Sequence, residues 1–281
     1  MLVRRTLPQR RLPTVGAWCF LDHFGPEPAP MQVLPHPHMG LQTVTWPFTG
    51  NIRHRDSLGS DVVVRPGELN LMTSGAGVSH SEISVKDDSA DIHGLQLWVA
   101  SPERTRHQPA RFEHHDTLPV VERDGIRAII LVGEFMGAFS PALIDTPLVG
   151  VDLTVPTGTS SLPLITQHEH AVMVIDGIVE VTGERLTPGP LLYFGTNRDA
   201  VTVTSTEGAH LILLGGEPLE EELVMWWNFI GRSHEEIVQA RDQWEADDGR
   251  FGVVSGHDGE RIPAPPLPGV KLRARRRRPV R

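Results

Sequence analysis

Short apolar runs rich in β-branched residues, each cut off by Gly, Pro or Asp, make up most of this chain. LQTVTWPF (41–48), DVVVRPGELNLMT (61–73), HGLQLWVA (93–100), IRAIILVG (126–133), LVGVDLTV (148–155), HAVMVIDGIVEVTG (170–183), LLYFG (191–195), AVTVTS (200–205) and AHLILLGG (209–216) all have this form. Such runs predict strands. Helical periodicity is almost absent until SHEEIVQARDQWEADDG (233–249). There Ser233 is the expected N-cap, with Glu236 at the capping-box distance. Ile237, Ala240, Arg241 and Trp244 follow at helical spacing, and Gly249 is expected to end the run.

The two halves of the chain repeat one another weakly. The first has an HxH pair (His36, His38), a turn at Thr49-Gly50 and a second at Pro66-Gly67. The second half has His168 and His170, a turn at Asp176-Gly177 and another at Pro188-Gly189. A hairpin turn followed by a Pro-Gly turn ahead of another strand suits a small jelly-roll barrel, so the pattern predicts an all-β chain of two tandem barrels with a short C-terminal helix. The polar stretch at 120–126 marks the boundary. The expected domains are 1–122, 123–252 including the helix, and a Pro-rich, basic tail at 253–281.

Composition agrees with short strands and tight turns: 27 Gly and 24 Pro in 281 residues, with only 6% aromatics. The single cysteine, Cys19, excludes an intrachain disulfide and is compatible with a reducing compartment. Cys19 itself is expected to be a buried small hydrophobe. The basic N-terminus lacks the apolar segment of a secretory signal, and no run approaches the ~20 apolar residues of a membrane span. A soluble, cytoplasmic protein is the expectation. Net charge is −9, unevenly placed. Of the 26 basic residues, seven lie between Lys271 and Arg281; the remaining 19 against 35 acidic residues leave the body at −16. An acidic body disfavours nucleic acid, and the basic tail reads as a solvated end behind IPAPPLPG.

Candidate chemistry begins at LPHPHMGLQTVTW (34–46). Side chains at i and i+2 share one face of a strand, so His36 and His38 project together, held extended by the proline between them. LMTSGAGVSHSEI (71–83) offers a second same-face pair, His80 and Glu82, after a glycine-bearing turn. Two such strands would bring three neutral imidazoles and one carboxylate into a barrel. A nitrogen and oxygen set without thiolate suits Fe(II), Mn(II), Zn or Ni. Gln42 has the parity of His36 and His38, so an unbroken strand would turn it toward the same interior, there to hydrogen-bond a ligand and orient it.

HPHMGLQTV, RHRDSLG, PGELNLMTSGAGVSHSE, HGLQLWV and GGEPLEEELVMWWNFI resemble the pirin family of bicupin proteins, in order from about Leu34 to Gly252. The resemblance implies two cupin barrels with one mononuclear iron in the first, held by His36, His38, His80 and Glu82. Where the family commonly has glutamate this chain has Gln42, a position that is not a family ligand. Some pirin relatives are similar in activity to quercetin 2,3-dioxygenases. The implied reaction is ring-opening of a flavonol or related enolic aromatic by O2, with Glu82 as general base for the substrate hydroxyl. The family also implies an alternative, a non-enzymatic, iron-dependent co-regulator acting through a protein partner.

Other residues stay open between readings. His54 and Asp56 either line the pocket and polarise a ligand, or Asp56 and Ser57 cap a turn. Trp98 is core or pocket wall, and Trp226 and Trp227 are expected at the domain junction. His168 and His170 repeat the first pair, but the strands after Pro188-Gly189 offer no block like TSGAGVSHSE, and His210 is the single further nitrogen in reach. One metal per chain is expected.

Overall fold

Strand-forming segments separated by glycine turns must satisfy their backbone groups by pairing with one another, and this chain does so in two barrels. The computed structural model describes residues 1–28, 30–85 and 91–274. The first barrel contains β1 (Val3–Leu7), β2 (Trp18–Glu27), β3 (Gln32–His38), β4 (Leu41–Thr49), β5 (Ile52–Asp56), β6 (Asp61–Val64), β7 (Leu69–Thr73), β8 (Val78–Ser84), β9 (Ile92–Ala100) and β10 (Arg111–His115). They form a six-stranded sheet, β1-β2-β9-β4-β7-β10, and a four-stranded sheet, β3-β8-β5-β6. The second barrel contains β11 (Val120–Arg123), β12 (Ile126–Phe135), β13 (Ala138–Phe139), β14 (Leu148–Val155), β15 (Gly158–Pro163), β16 (Glu169–Val181), β17 (Glu184–Leu186), β18 (Leu191–Gly195) and β19 (Ala200–Gly216), joined in one nine-stranded sheet. A hairpin, β20 (Val224–Trp226) and β21 (Phe229–Gly231), and the helix α1 (His234–Ala246) follow. The all-β, two-cupin expectation with one short helix is what the structure shows. No helix among the described residues is long and apolar enough to cross a membrane.

The glycine positions decide where strands break. At Gly40 φ is +74, and a Cβ there would stand 2.2 Å from the Ile230 carbonyl oxygen, so only glycine fits. The reversal ends β3 and sends β4 into the other sheet. Thr49-Gly50 is a turn between β4 and β5, as expected. Asp176-Gly177 is not. β16 runs unbroken from Glu169 to Val181, and these residues sit among register shifts between Val174 and Asp176 and between Gly177 and Val179. A β-bulge absorbs the extra residue without ending the strand. AVTVTS and AHLILLGG likewise merge into the single strand β19.

One apolar core is shared by both barrels, with Trp18, Val44, Trp46, Leu95 and Leu97 from the first packed against Leu131, Leu148, Met173, Ile212 and Leu214 from the second. Polar atoms inside it are paired. The Trp18 indole donates to the carbonyls of Val149 (3.2 Å) and Gly215 (3.1 Å), and that of Trp46 to Asp152 Oδ2 (2.7 Å). This face of β4 explains Gln42. The reversal at Gly40 breaks the parity carried from β3. Gln42 therefore lies apart from the metal-ligand candidates, donating to Thr73 Oγ1 (2.8 Å) and the Leu143 carbonyl (3.0 Å) and accepting from Asp145 N (3.2 Å).

After β19 the chain returns to the first barrel. Met39 packs with Phe229, Ile237, Ala240, Trp244 and Phe251, with Trp226 and Trp227 at the edge of that cluster. Ser233 caps α1 by accepting from Glu236 N, as expected, but the helix ends at Asp247 in the left-handed conformation rather than at Gly249. The Pro-rich segment is docked, and so are the first residues of the basic end read as solvated, as far as Ala274. Ile262 N donates to the Pro35 carbonyl (2.8 Å), the Trp244 indole donates to the Ile262 carbonyl, Ala264 is buried, and Leu272 N donates to His234 Nδ1. Arg275 to Arg281 lie outside the described residues.

Candidate metal centre

Pairing of β3 with β8 brings the two predicted pairs together. His36 stands opposite His80, Pro37 opposite Ser79 and His38 opposite Val78; a register shift between Val33 and His36 leaves Val33 opposite Glu82. The rings of His36, His38 and His80 lie with centroids 4.4–4.9 Å apart. Each offers a nitrogen within 4.8 Å of the others. Glu82 joins His80 and His54 in a second group of the same tightness. All four predicted residues are buried and line one cavity of about 170 Å³ between the two sheets.

On β2 and β9 the walls come from even-numbered positions facing inward, and Met31 and Val33 add to them. Phe20, Asp22 and Phe24 of β2 and Gln96 and Trp98 of β9 line the cavity, with Met1 and Val3 at its rim. Phe20 stacks on Trp98 at 3.9 Å, and His38 meets the Trp98 ring edge-on at 5.2 Å. Trp98 is thus pocket wall. On β5 and β8 the odd positions point away: Arg53, Arg55, Ser81 and Ile83 line a separate cleft on the outer face of the four-stranded sheet. Cys19 is buried, its thiol pushed above the ordinary range by burial and pointed at the Trp98 carbonyl.

Burial sets the protonation of the cluster. It pushes His36 down to about 4, and His38 and His80 well below the usual histidine range, with the neighbouring imidazoles adding repulsion. All three rings are therefore neutral lone-pair donors near pH 7. Burial raises the Glu82 carboxyl, opposed by His54 and by a hydrogen bond from Thr45. Thr45 Oγ1 donates to Glu82 Oε1 (2.8 Å) and lies 3.0 Å from the Gln96 side-chain amide. His36 Nδ1 donates to the Leu34 carbonyl (2.9 Å), which leaves its Nε2 as the free lone pair. His38 Nδ1 and His80 Nε2 are buried without a hydrogen-bond partner. Buried polar atoms are ordinarily paired, so unpartnered nitrogens inside one imidazole cluster fit a metal ion, and the hard and borderline donors fit a first-row divalent metal.

Of the two readings left open, the structure shows the turn cap: His54 and Asp56 are buried behind His80 and are not on the cavity lining. Asp56 Oδ1 accepts from Leu58 N and Ser60 N, both at 2.9 Å, and so caps the turn. Its Oδ2 lies 3.2 Å from His54 Nε2, and His54 Nδ1 lies 3.3 Å from His80 Nδ1. Thr45 and the β2 wall went unread in the sequence. Strand parity from Trp98 back to Gln96 was the available signal for β9. In β2 the alternation is hidden because nearly every residue is buried.

His168 and His170 sit differently. His170 faces Gly215 on β19 and Gly195 on β18. His210, the further nitrogen considered, pairs with Asp176 and bonds Asp152 Oδ1 at 2.7 Å. Five residues separate it from Gly215, about 17 Å along a strand. Among the described residues the groups able to hold a metal are both in the first barrel.

Known proteins with this arrangement are similar over nearly the whole chain. The Pirin family matches residues 1–99 and the Pirin C-terminal cupin domain residues 150–252. A Pseudomonas aeruginosa protein provisionally named a quercetin 2,3-dioxygenase is 42% identical, over 95% of this chain and 86% of its own. A pirin-like protein of Caulobacter vibrioides is 36% identical over 94% of each chain. The crystal structure of quercetin 2,3-dioxygenase from Acinetobacter baumannii superposes with a TM-score of 0.93 at 41% identity, covering 98% of this chain and 93% of the other. With both barrels matched in order and a His/Glu cluster able to hold a metal in the first, the chain belongs to the pirin family.

Proposed function

We propose that His36, His38, His80 and Glu82 hold one metal ion, Fe(II) in preference to Mn, Ni or Zn, and that the site opens flavonol-type enolic substrates with O2. The supporting observation is three neutral, buried imidazoles and one buried carboxylate on a single cavity, in a chain 41% identical to a quercetin 2,3-dioxygenase of known structure. A metal so held supplies Lewis acidity toward an enolate oxygen and, as iron, access to O2 chemistry. Glu82 accepts the proton of the substrate hydroxyl, its carboxylate lying on the same cavity as the three imidazoles. Thr45 holds one oxygen of that carboxylate in place. Trp98, Phe20 and Phe24 exclude water and give an aromatic substrate an apolar wall.

The cavity, about 170 Å³, is below the roughly 300–1,000 Å³ of pockets that engulf drug-sized ligands. In this reading the reacting edge of the substrate enters and the remainder lies across the rim at Met1 and Val3. The small volume is also what favours the second reading, a metal-dependent regulator with a protein partner. One experiment separates them: metal-reconstituted protein incubated with quercetin in air, followed by flavonol absorbance and O2 uptake. Stoichiometric loss of both supports the enzyme. Full metal occupancy with neither consumed sinks it and leaves the regulator.

A further inference from the structure

Three buried side chains in a row, Asp56, His54 and His80, end on the nitrogen of His80 that has no partner. We propose that Asp56 and His54 are positioning residues that fix the tautomer of His80, so that its Nε2 is a lone pair and not an N–H. The inference rests on the metal-site reading and goes beyond it, since neither residue is a ligand in that reading.

The reasoning is one of hydrogen-bond direction. Asp56 Oδ1 is saturated by Leu58 N and Ser60 N. Held as a carboxylate, Asp56 can only accept through Oδ2, so the proton between it and His54 sits on His54 Nε2. In this proposal His54 is the neutral imidazole, which carries one N–H; with that N–H on Nε2, His54 Nδ1 is an acceptor. The contact at 3.3 Å between the two Nδ1 atoms then requires His80 Nδ1 to donate. His80 has thereby used its one N–H, and Nε2, buried and unpartnered, is left as a lone pair. Ring rotation cannot undo this arrangement cheaply. His54 is stacked on Phe112 at 4.3 Å and 15°. Asp56, His54 and His80 are all at most 2% exposed, which holds the row away from bulk solvent. β5 and β8 are adjacent in the sheet, with Asp56 opposite His80 and His54 opposite Glu82, so the row is built into the strand register.

Asp56→Asn should reverse the whole row. Leu58 N and Ser60 N would keep the amide oxygen, which turns the amide NH2 toward His54 Nε2. His54 must then donate from Nδ1, His80 must accept there, and its N–H moves to Nε2, where it blocks a metal. The test is long-range 1H–15N correlation spectroscopy of the ring nitrogens in metal-free protein, together with metal affinity by chelator competition. Wild type is expected to show His80 protonated at Nδ1 and His54 at Nε2. Asp56→Asn is expected to exchange both and to weaken metal binding by about 10–100-fold, the usual cost of losing an outer partner of a ligand. A wild-type His80 protonated at Nε2, or an Asp56→Asn protein with unchanged tautomers and affinity, would overturn the proposal.

Two further variants cover the case in which Asp56→Asn does not fold. His54→Gln can still accept from His80 and should keep affinity within a few-fold, whereas His54→Leu should lose it. Equal loss in both would make His54 a ligand and defeat the relay. If wild type binds no metal while the tautomers are as described, the metal-site reading has failed and the relay has not.

Discussion

Each barrel carries an HxH pair, His36 and His38 at the end of β3 and His168 and His170 where β16 begins, and the two pairs meet different neighbours. In the first barrel the chain breaks at Gly40, so β3 and β4 enter different sheets and a cavity opens between them. Across from His36 stands His80, with Glu82 two residues on. In the second barrel β16 continues unbroken and its partners at His170 are glycines. The interior there is filled by Val, Leu and Ile side chains from β12, β14, β16 and β19. The repeated motif does not repeat the cluster: among the described residues the groups able to hold a metal lie in the first barrel. A metal centre needs what the partner strand presents in register, together with empty space.

Removing a first-barrel ligand is the strongest way to test that contrast. His38→Ala should empty the site, a larger loss than the roughly 10–100-fold that an outer partner costs. His168→Ala/His170→Ala should leave metal content at one equivalent. Elemental analysis of dialysed protein that finds two equivalents in wild type, with one lost in the double variant, would show the barrels to be alike after all.

Glu82→Gln comes next. The amide keeps the shape but loses charge and basicity, so flavonol turnover should drop on the order of 10²–10⁴-fold, the contribution of a positioned base, while the melting temperature moves little. Turnover near the wild-type rate would take the base assignment away from Glu82.

Acid should weaken the metal-free fold through its buried histidines, those of the candidate metal centre and others outside it. Burial holds His23, beside His93, and His170, beside His168, at about 4. Between the ordinary histidine value of ~6.5 and about 4 the unfolded chain binds protons there that the folded chain does not, so stability falls as pH falls through that window. Glu82, raised by burial, works in the opposite sense. Thermal melts of metal-free protein should decline from pH 7 to pH 4.5; a flat profile would mean that these rings titrate freely when folded.

The smallest effect is steric. A Cβ on Gly215 would stand 2.5 Å from His170 Cδ2 and 2.8 Å from Val149 Cγ1. Gly215→Ala should cost about 1–3 kcal/mol of overpacking, read by denaturant unfolding, with metal binding intact. Loss of metal in that variant would reveal coupling between the barrels at this position.

Much of the site was legible in the chain because strand parity is a local property. His36 with His38, and His80 with Glu82, share faces by spacing alone, and the strands around Trp98 and Val151 fall where β-branched density put them. The Gln42 expectation failed because parity holds only along an unbroken strand, and the break at Gly40 depends on the distant Ile230 carbonyl. The Asp176-Gly177 expectation failed because a turn dipeptide is also bulge chemistry when long partner strands keep pairing past it. The start of the basic end, Lys271 to Ala274, reads as solvated from its composition; its contact with His234 is remote in sequence.

By itself the sequence determined the strand-rich class, the twofold repeat, the helix with its Ser233 cap, and which residues can act as donors on a common face. Only the tertiary structure decided that His80 lies opposite His36, that Asp56 and His54 stand behind it, and that glycine lies opposite His170. Side-chain direction follows from the backbone of a few neighbouring residues, whereas register and cavity depend on which distant strands pair and where a glycine lets the chain reverse.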